Sequence, residues 1–192
     1  FDELEYQSCL NEQKNRSRNA SIMDFKDWNH VFKLENEGFL GYDNFELKVH
    51  ILMYRQVSIK GKKMFQLVFN KTPFYPEGGG QVGDQGFLAS DNESIEIIDT
   101  KKENNLIIHF CNTIPKNLES EFLASVDMEK RIFSSRNHSA THLLHEVLRE
   151  KLGDHVEQKG SYVNSHYLRF DFSHSKSIEY DTLSLIEKSI NK

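Results

Sequence analysis

The sequence of 192 residues holds two cysteines, Cys9 and Cys111, and three prolines. Two thiols so far apart in the chain do not make the disulfide framework of a small secreted fold. They also lack the close spacing of a thiolate metal site, so both are expected to be free. No apolar run approaches the ~18 residues of a membrane helix. The first residues show no basic stretch followed by an apolar one, so neither a membrane span nor a secretion signal is expected, and the cytoplasm is the expected location. Positive charge is also short: 24 Lys and Arg against 29 Asp and Glu leave a formal charge of −5, which argues against nucleic-acid binding through the net field. Local clusters at Arg55, Lys60, Lys62 and Lys63, and at Lys130, Arg131 and Arg136, leave room for an RNA held by patches, although a solvated face is the plainer reading of either alone. No GxxxxGKS/T stretch offers a cradle for ATP. Gly78, Gly80 and Gly83 fit GxGxxG, but DQGFLAS follows with no helical period, so the dinucleotide-binding reading fails.

What is present is a chain with 38% hydrophobic residues and 14 Phe, enough for a packed core. Its chemistry concentrates in residues 136–174, RNHSATHLLHEVLREKLGDHVEQKGSYVNSHYLRFDFSH. His138 and His142 stand four apart in a leucine-rich run without Gly or Pro, so a helix puts both imidazoles on one side, with His145 and Arg149 continuing the row. Ala140, Leu143 and Val147 form an apolar stripe on the opposite side, so the histidines are expected to avoid the core. Asn137 fits an N-cap and Gly153 a C-terminal stop, which bounds the helix at about 138–152. Two neutral imidazoles at this spacing are half of a tetrahedral zinc site. Taken as a bare HxxxH, surface or capping histidines are the plainer reading. Ser139, Ala140 and Thr141 lie between them, with no glutamate for the HExxH chemistry of a metalloprotease.

Residues 1–35 are polar with scattered apolar anchors and no Pro or Gly, and read as helix in two pieces broken near 19–24. From Gly41 the pattern changes to short alternating segments at 45–57, 64–69, 94–99, 106–110 and 122–126, separated by turn-rich stretches. Successive strands without helices between them suggest a small antiparallel barrel ending near 127–131. Three glycines at 78–80 followed by Gln81 permit a tight hairpin with positive φ; they also strip side chains from a segment that a substrate can then approach closely. After the histidine helix, 161–163 and 167–172 alternate as strands, with Arg169 and Asp171 a candidate ion pair and His174 a turn residue. From Glu179 a second helix carries Tyr180, Leu183, Ile186 and Ile190. The chain opens on Phe1 and not Met, and is expected to be a piece of a longer protein.

The blocks HSATHLLH at 138–145, QKGS at 158–161 and LRFDFSH at 168–174, with FYPEGGGQVGDQG at 74–86, closely resemble the editing-domain family of the alanyl-tRNA synthetases and the freestanding AlaX proteins. The resemblance is firm over residues 40–192 and looser before them. It implies an α+β fold: a helical segment over 1–38 leading from an aminoacylation half, a translation-factor-like β-barrel with its Gly-rich loop over 39–128, and over 129–192 the first part of an α/β editing core of the threonyl/alanyl-tRNA synthetase type. It implies hydrolysis of serine or glycine wrongly esterified to alanine tRNA, with His138 and His142 as zinc ligands. Thr141 and Gln158 are the candidates that read the serine hydroxyl, and Gly78, Gly79, Gly80, Gln81 and Arg136 those that meet the 3′ acceptor end. The family supplies its other two ligands as a Cys and a His four apart beyond LRFDFSH. This chain has no such pair, since Gln13 stands four beyond Cys9 and Pro115 four beyond Cys111. Zinc is thus expected at an incomplete site, ATP and Mg²⁺ only in the aminoacylation half of the ligase, and neither DNA nor membrane as a partner. A freestanding editing hydrolase, a noncatalytic tRNA-binding module and a zinc hydrolase of other substrates are the alternatives.

Overall fold

The computed structural model describes residues 5–7, 9, 23–90 and 93–191, with 23–25 as backbone only. The fold is α+β. Among the described residues, fourteen strands, β1 (Met23–Phe25), β2 (Asn29–His30), β3 (Gly38–Phe39), β4 (Glu46–Val49), β5 (Ile51–Ile59), β6 (Lys62–Phe69), β7 (Lys71–Thr72), β8 (Gly86–Ser90), β9 (Glu93–Ile97), β10 (Asp99–Glu103), β11 (Leu106–Cys111), β12 (Phe122–Val126), β13 (Gln158–Val163) and β14 (Leu168–Phe172), accompany the helices α1 (Met128–Leu152) and α2 (Tyr180–Ile190).

The expected barrel is two open antiparallel sheets. One runs β1-β5-β6-β11-β10 with β2 also on β5, the other β4-β12-β8-β9, and no ladder closes them among the described residues. The chain passes from one sheet to the other at two single-residue corners, His50 between β4 and β5 and Ile98 between β9 and β10. At the corners the Ile98 N–H donates to the Phe110 carbonyl at 2.9 Å and the Asn70 N–H to the His50 carbonyl at 3.0 Å, and the two sheets pack their inner faces into one core. Val49, Leu88, Ile97 and Phe122 from one sheet meet Ile51, Leu67, Phe69 and Cys111 from the other in a single buried cluster. The buried Cys111 thiol is pushed up to about 12 by burial, which leaves it protonated and inert. Buried His109 is held down to about 3 by the same cause, stacks on Phe69 at 4.0 Å and places Nε2 2.8 Å from the Thr72 hydroxyl. It is a neutral core histidine.

Of the helix expected over 1–38, residues 1–4, 8 and 10–22 lie outside the described residues. Residues 5–7 and 9 are helical, but 23–25 and 29–30 are strands paired with β5, at Phe25↔Val57 and Asn29↔Tyr54. The exposed edge of β5 offers this aromatic-rich segment unpaired backbone groups and an apolar face: Trp28 packs with Met53 and Met64 over Val68, Ile108 and Phe110. Tertiary pairing therefore overrides the weak helical signal.

Helix α1 begins ten residues before the expected start at 138. Asp127 is the cap, its carboxylate accepting from the Lys130 N–H at 3.1 Å, and the following residues hold no Gly or Pro to stop the helix. Asn137 sits inside it and donates its side-chain amide to the Asn164 carbonyl at 2.8 Å. The C-terminal stop is at Gly153 as expected, with φ 115° and its N–H returned to the Arg149 carbonyl.

Candidate functional site

The 78–81 turn, the middle of α1 and the β13–β14 hairpin meet at one place. Gly78 and Gln81 exchange backbone hydrogen bonds of 3.1 and 3.0 Å, so residues 79 and 80 must reverse the chain between them. Both do so at positive φ, 59° and 81°, which glycine adopts without strain. The turn then docks on the hairpin: the Val163 N–H donates to the Gly80 carbonyl at 2.8 Å and the Val82 N–H to the Val163 carbonyl at 3.0 Å. A Cβ on Gly80 would strike the Ser161 hydroxyl, so close approach as well as φ requires glycine there.

On its other side the turn meets the histidines. The His138 Nδ1 lies 2.9 Å from Gln81 Oε1, a carbonyl oxygen that can only accept. The contact therefore fixes the proton on Nδ1 and leaves the Nε2 lone pair available. The His142 ring stacks on that of His138 with centroids 5.1 Å apart and planes at 23°. Burial, and after it the neighbouring His142, holds His138 below the ordinary histidine range, so it is neutral, as a metal ligand must be. A Cβ on Gly79 would lie 3.3 Å from the His138 Cε1. Replacing Gly79 by Ala is expected to lower the unfolding free energy by about 1–2 kcal/mol through its left-handed φ, and to shift the His138 imidazole resonances. Resonances that stay in place would show that the turn does not bear on the ring.

The helix does not divide as its apolar pattern suggested. Ser134, Thr141 and Leu148 are its buried residues, and Leu143, expected in the core, is 55% exposed. Positions 134, 138, 141, 145 and 148 share one face. His138 thus borders the packed side, held by the turn, while His145 tilts against Phe170 at 5.1 Å. The core stripe below them is Leu144, Val147 and Leu148 against Val156, Phe170 and Ile186.

Of the other candidates, Thr141 is buried, its hydroxyl donating to the Asn137 carbonyl at 2.8 Å with its lone pairs still able to accept. Gln158 is exposed at the start of β13 and donates to the Ser161 hydroxyl at 3.0 Å, the group that faces Gly80. Arg136 is exposed, its guanidinium 5.7 Å from the Phe133 ring; two residues before His138, it points to a different side of α1. Arg169 and Asp171 form the expected exposed ion pair, at 3.1 Å. His174 follows β14 and places Nδ1 2.8 Å from the His155 Nε2.

Two participants lie inside the quoted blocks but were not singled out from the sequence. Ser161 belongs to the QKGS block, but its contact with Gly80 is visible only in space. Asp84 closes the 75–84 loop, accepting from the Tyr75 N–H at 2.8 Å, and Arg131 binds that carboxylate from α1, two turns before His138. Arg131 also donates to the carbonyls of Gly41 and Pro73, each at 2.9 Å. The loop and the helix are therefore tied at both ends of the site. No group of three or more metal-binding side chains exists among the described residues, so the two imidazoles offer half of a tetrahedral donor set.

The chain is 52% identical over its whole length to the alanine–tRNA ligase of Christiangramia forsetii, 50% to that of Flavobacterium psychrophilum, and 49% over 95% of its length to that of Parabacteroides distasonis. It spans 22%, 23% and 21% of those relatives, about a fifth of their length. The family model described as tRNA synthetases class II (A) matches residues 1–130, from the leading segment through both sheets to the start of α1. By that match the chain belongs to the class II tRNA synthetase (A) family.

Proposed function

We propose that this chain is the editing part of an alanine-tRNA ligase, and that its site hydrolyses the ester joining serine or glycine to the 3′ end of alanine tRNA. The observation that carries the reading is the contact of Gln81 with His138, which sets a metal-capable imidazole against a backbone segment bare of side chains. The need for such a site is physical. A pocket for alanine cannot exclude glycine by size, and an apolar pocket rejects an added hydroxyl by only about 10². A second pocket that hydrogen-bonds the hydroxyl can discriminate by about 10⁴ or more in the other direction.

In this reading Gln81 keeps the His138 Nε2 free of its proton, the 78–80 backbone admits the acceptor end, and Thr141 and Gln158 bind the serine hydroxyl. Zinc would be held by His138 and His142 together with ligands from outside this sequence, and when bound supplies water with a pKa near ~7. The two-sheet body stands in for the family's translation-factor-type barrel and carries the turn to the helix. ATP and Mg²⁺ serve the aminoacylation half of the ligase, and the reaction belongs to the cytoplasm, where tRNA is charged.

The half-complete ligand set favours a second reading, a noncatalytic tRNA-binding module. Gel retardation of alanine tRNA beside serine release from Ser-tRNA(Ala), with zinc present, separates the two. The editing reading expects serine release in a polypeptide that adds the downstream Cys and His to this chain. Retardation without release in that polypeptide would leave only the binding module.

A further inference from the structure

A second concavity borders the 78–81 turn at Gly78. It is a cavity of about 340 Å³ lined by aromatic rings, Phe39, Tyr42 and Tyr75, with Gly78, Lys102 and Asn105 at its rim. The rings are packed edge to face: Phe39 meets Tyr42 at 4.9 Å and 77°, and Tyr75 at 5.8 Å and 78°. The cluster is fixed from below by Arg131, whose guanidinium lies 5.9 Å from the Phe39 and Tyr75 rings. Gly41 fixes it from behind, since a Cβ there would collide with the Pro73 carbonyl. Tyr42 is nonetheless 78% exposed, a ring packed edge to face on Phe39 with the rest of its surface open. The Tyr75 hydroxyl reaches the Gly78 carbonyl at 3.5 Å, which joins the cluster to the turn.

The charges at the rim are uneven. Glu77 is paired with Lys101 at 2.9 Å, and Glu103, outside the lining, with Arg55 at 3.3 Å. Lys102 is exposed and forms no ion pair among the described residues. An open aromatic face beside an uncommitted cation is the combination that binds single-stranded nucleic acid, the ring stacking on a base and the cation meeting the backbone phosphate.

We propose that Tyr42, seated on Phe39 and Tyr75, is a stacking platform for a base of a single-stranded RNA end, with Lys102 on the adjoining phosphate. The platform delivers the terminal nucleotide over Gly78 toward His138. The proposal rests on the editing reading for its direction, and on the aromatic cluster and Lys102 for its ligand.

The test uses a short single-stranded RNA with the sequence of a tRNA acceptor end, carrying a fluorescent base analogue near its 3′ terminus. Tyr42→Ala is expected to weaken binding about tenfold and to abolish the quenching that stacking produces, whereas Tyr42→Phe retains both. Lys102→Gln is expected to weaken binding and reduce the slope of log affinity against log salt by about 0.7, as loss of one phosphate contact requires for a single strand. Tyr42 is exposed, so equal melting temperatures keep the comparison clean. Wild-type affinity and quenching in Tyr42→Ala would overturn the platform, and serine release would decide the editing reading separately. Binding lost in Tyr42→Ala, with no serine release from the polypeptide that adds the downstream Cys and His, would keep the platform and remove the hydrolysis. No RNA binding by the unmodified protein would overturn the platform as well.

Discussion

Replacement of Arg131 by Ala is expected to cost about 3–5 kcal/mol of stability, the usual result of removing one partner from a buried ion pair. The side chains of Arg131 and Asp84 are 11% and 5% exposed, so neither is rescued by water. Burial already pushes Asp84 above the usual carboxylate range, while the hydrogen bonds from Arg131 and the Tyr75 N–H pull it back. Without the guanidinium the carboxyl is left to burial, and the carbonyls of Gly41 and Pro73 lose their donors. A folded pKa raised above the unfolded one contributes stability below the unfolded value and loses it as pH rises through the folded one. The deficit of Arg131→Ala should therefore be larger at neutral than at acidic pH. Arg131→Lys, which keeps the charge and loses the fork of donors, should fall between. Denaturant unfolding at neutral and acidic pH measures both effects. A loss under about 1 kcal/mol, the range of an exposed pair, would show that the site is held by its apolar packing alone.

The same residue shows where the sequence ceases to be readable. Arg131 stands among basic residues that look like a solvated or RNA-facing patch, yet it is the hub between α1 and the 75–84 loop, because its partners come from 47, 58 and 90 residues away. Local signals carried well where local physics decides. Alternation predicted β6, β11 and β14, and Gly153 ended α1, since strand faces and helix stops are set within a few residues. The helix start expected at Asn137 lies instead at Asp127, because nothing between them interrupts helical hydrogen bonding. The corners at His50 and Ile98, which turn an expected barrel into two sheets, leave no compositional mark. The pairing of 23–30 with β5 likewise needs the open edge of a strand that comes later in the chain. Within the site, the imidazole row was legible from the four-residue spacing. Its burial was not, because what covers His138 is Gln81, 57 residues upstream.

The second large effect concerns His142. Its ring is exposed and stacked on His138, so its removal leaves the helix and the core intact and deletes only an imidazole from the donor set. A catalytic zinc of the kind proposed normally needs three protein ligands, so the proposed site cannot spare either imidazole of α1. His142→Ala should accordingly melt within about 1 kcal/mol of the unmodified protein, while losing serine release altogether. The most direct measurement is single-turnover release of serine from Ser-tRNA(Ala), with zinc, by the unmodified and His142→Ala forms of a polypeptide that adds the downstream Cys and His to this chain. The account expects release by the first and only the spontaneous rate in the second. Serine released by His142→Ala at close to the unmodified rate would contradict it.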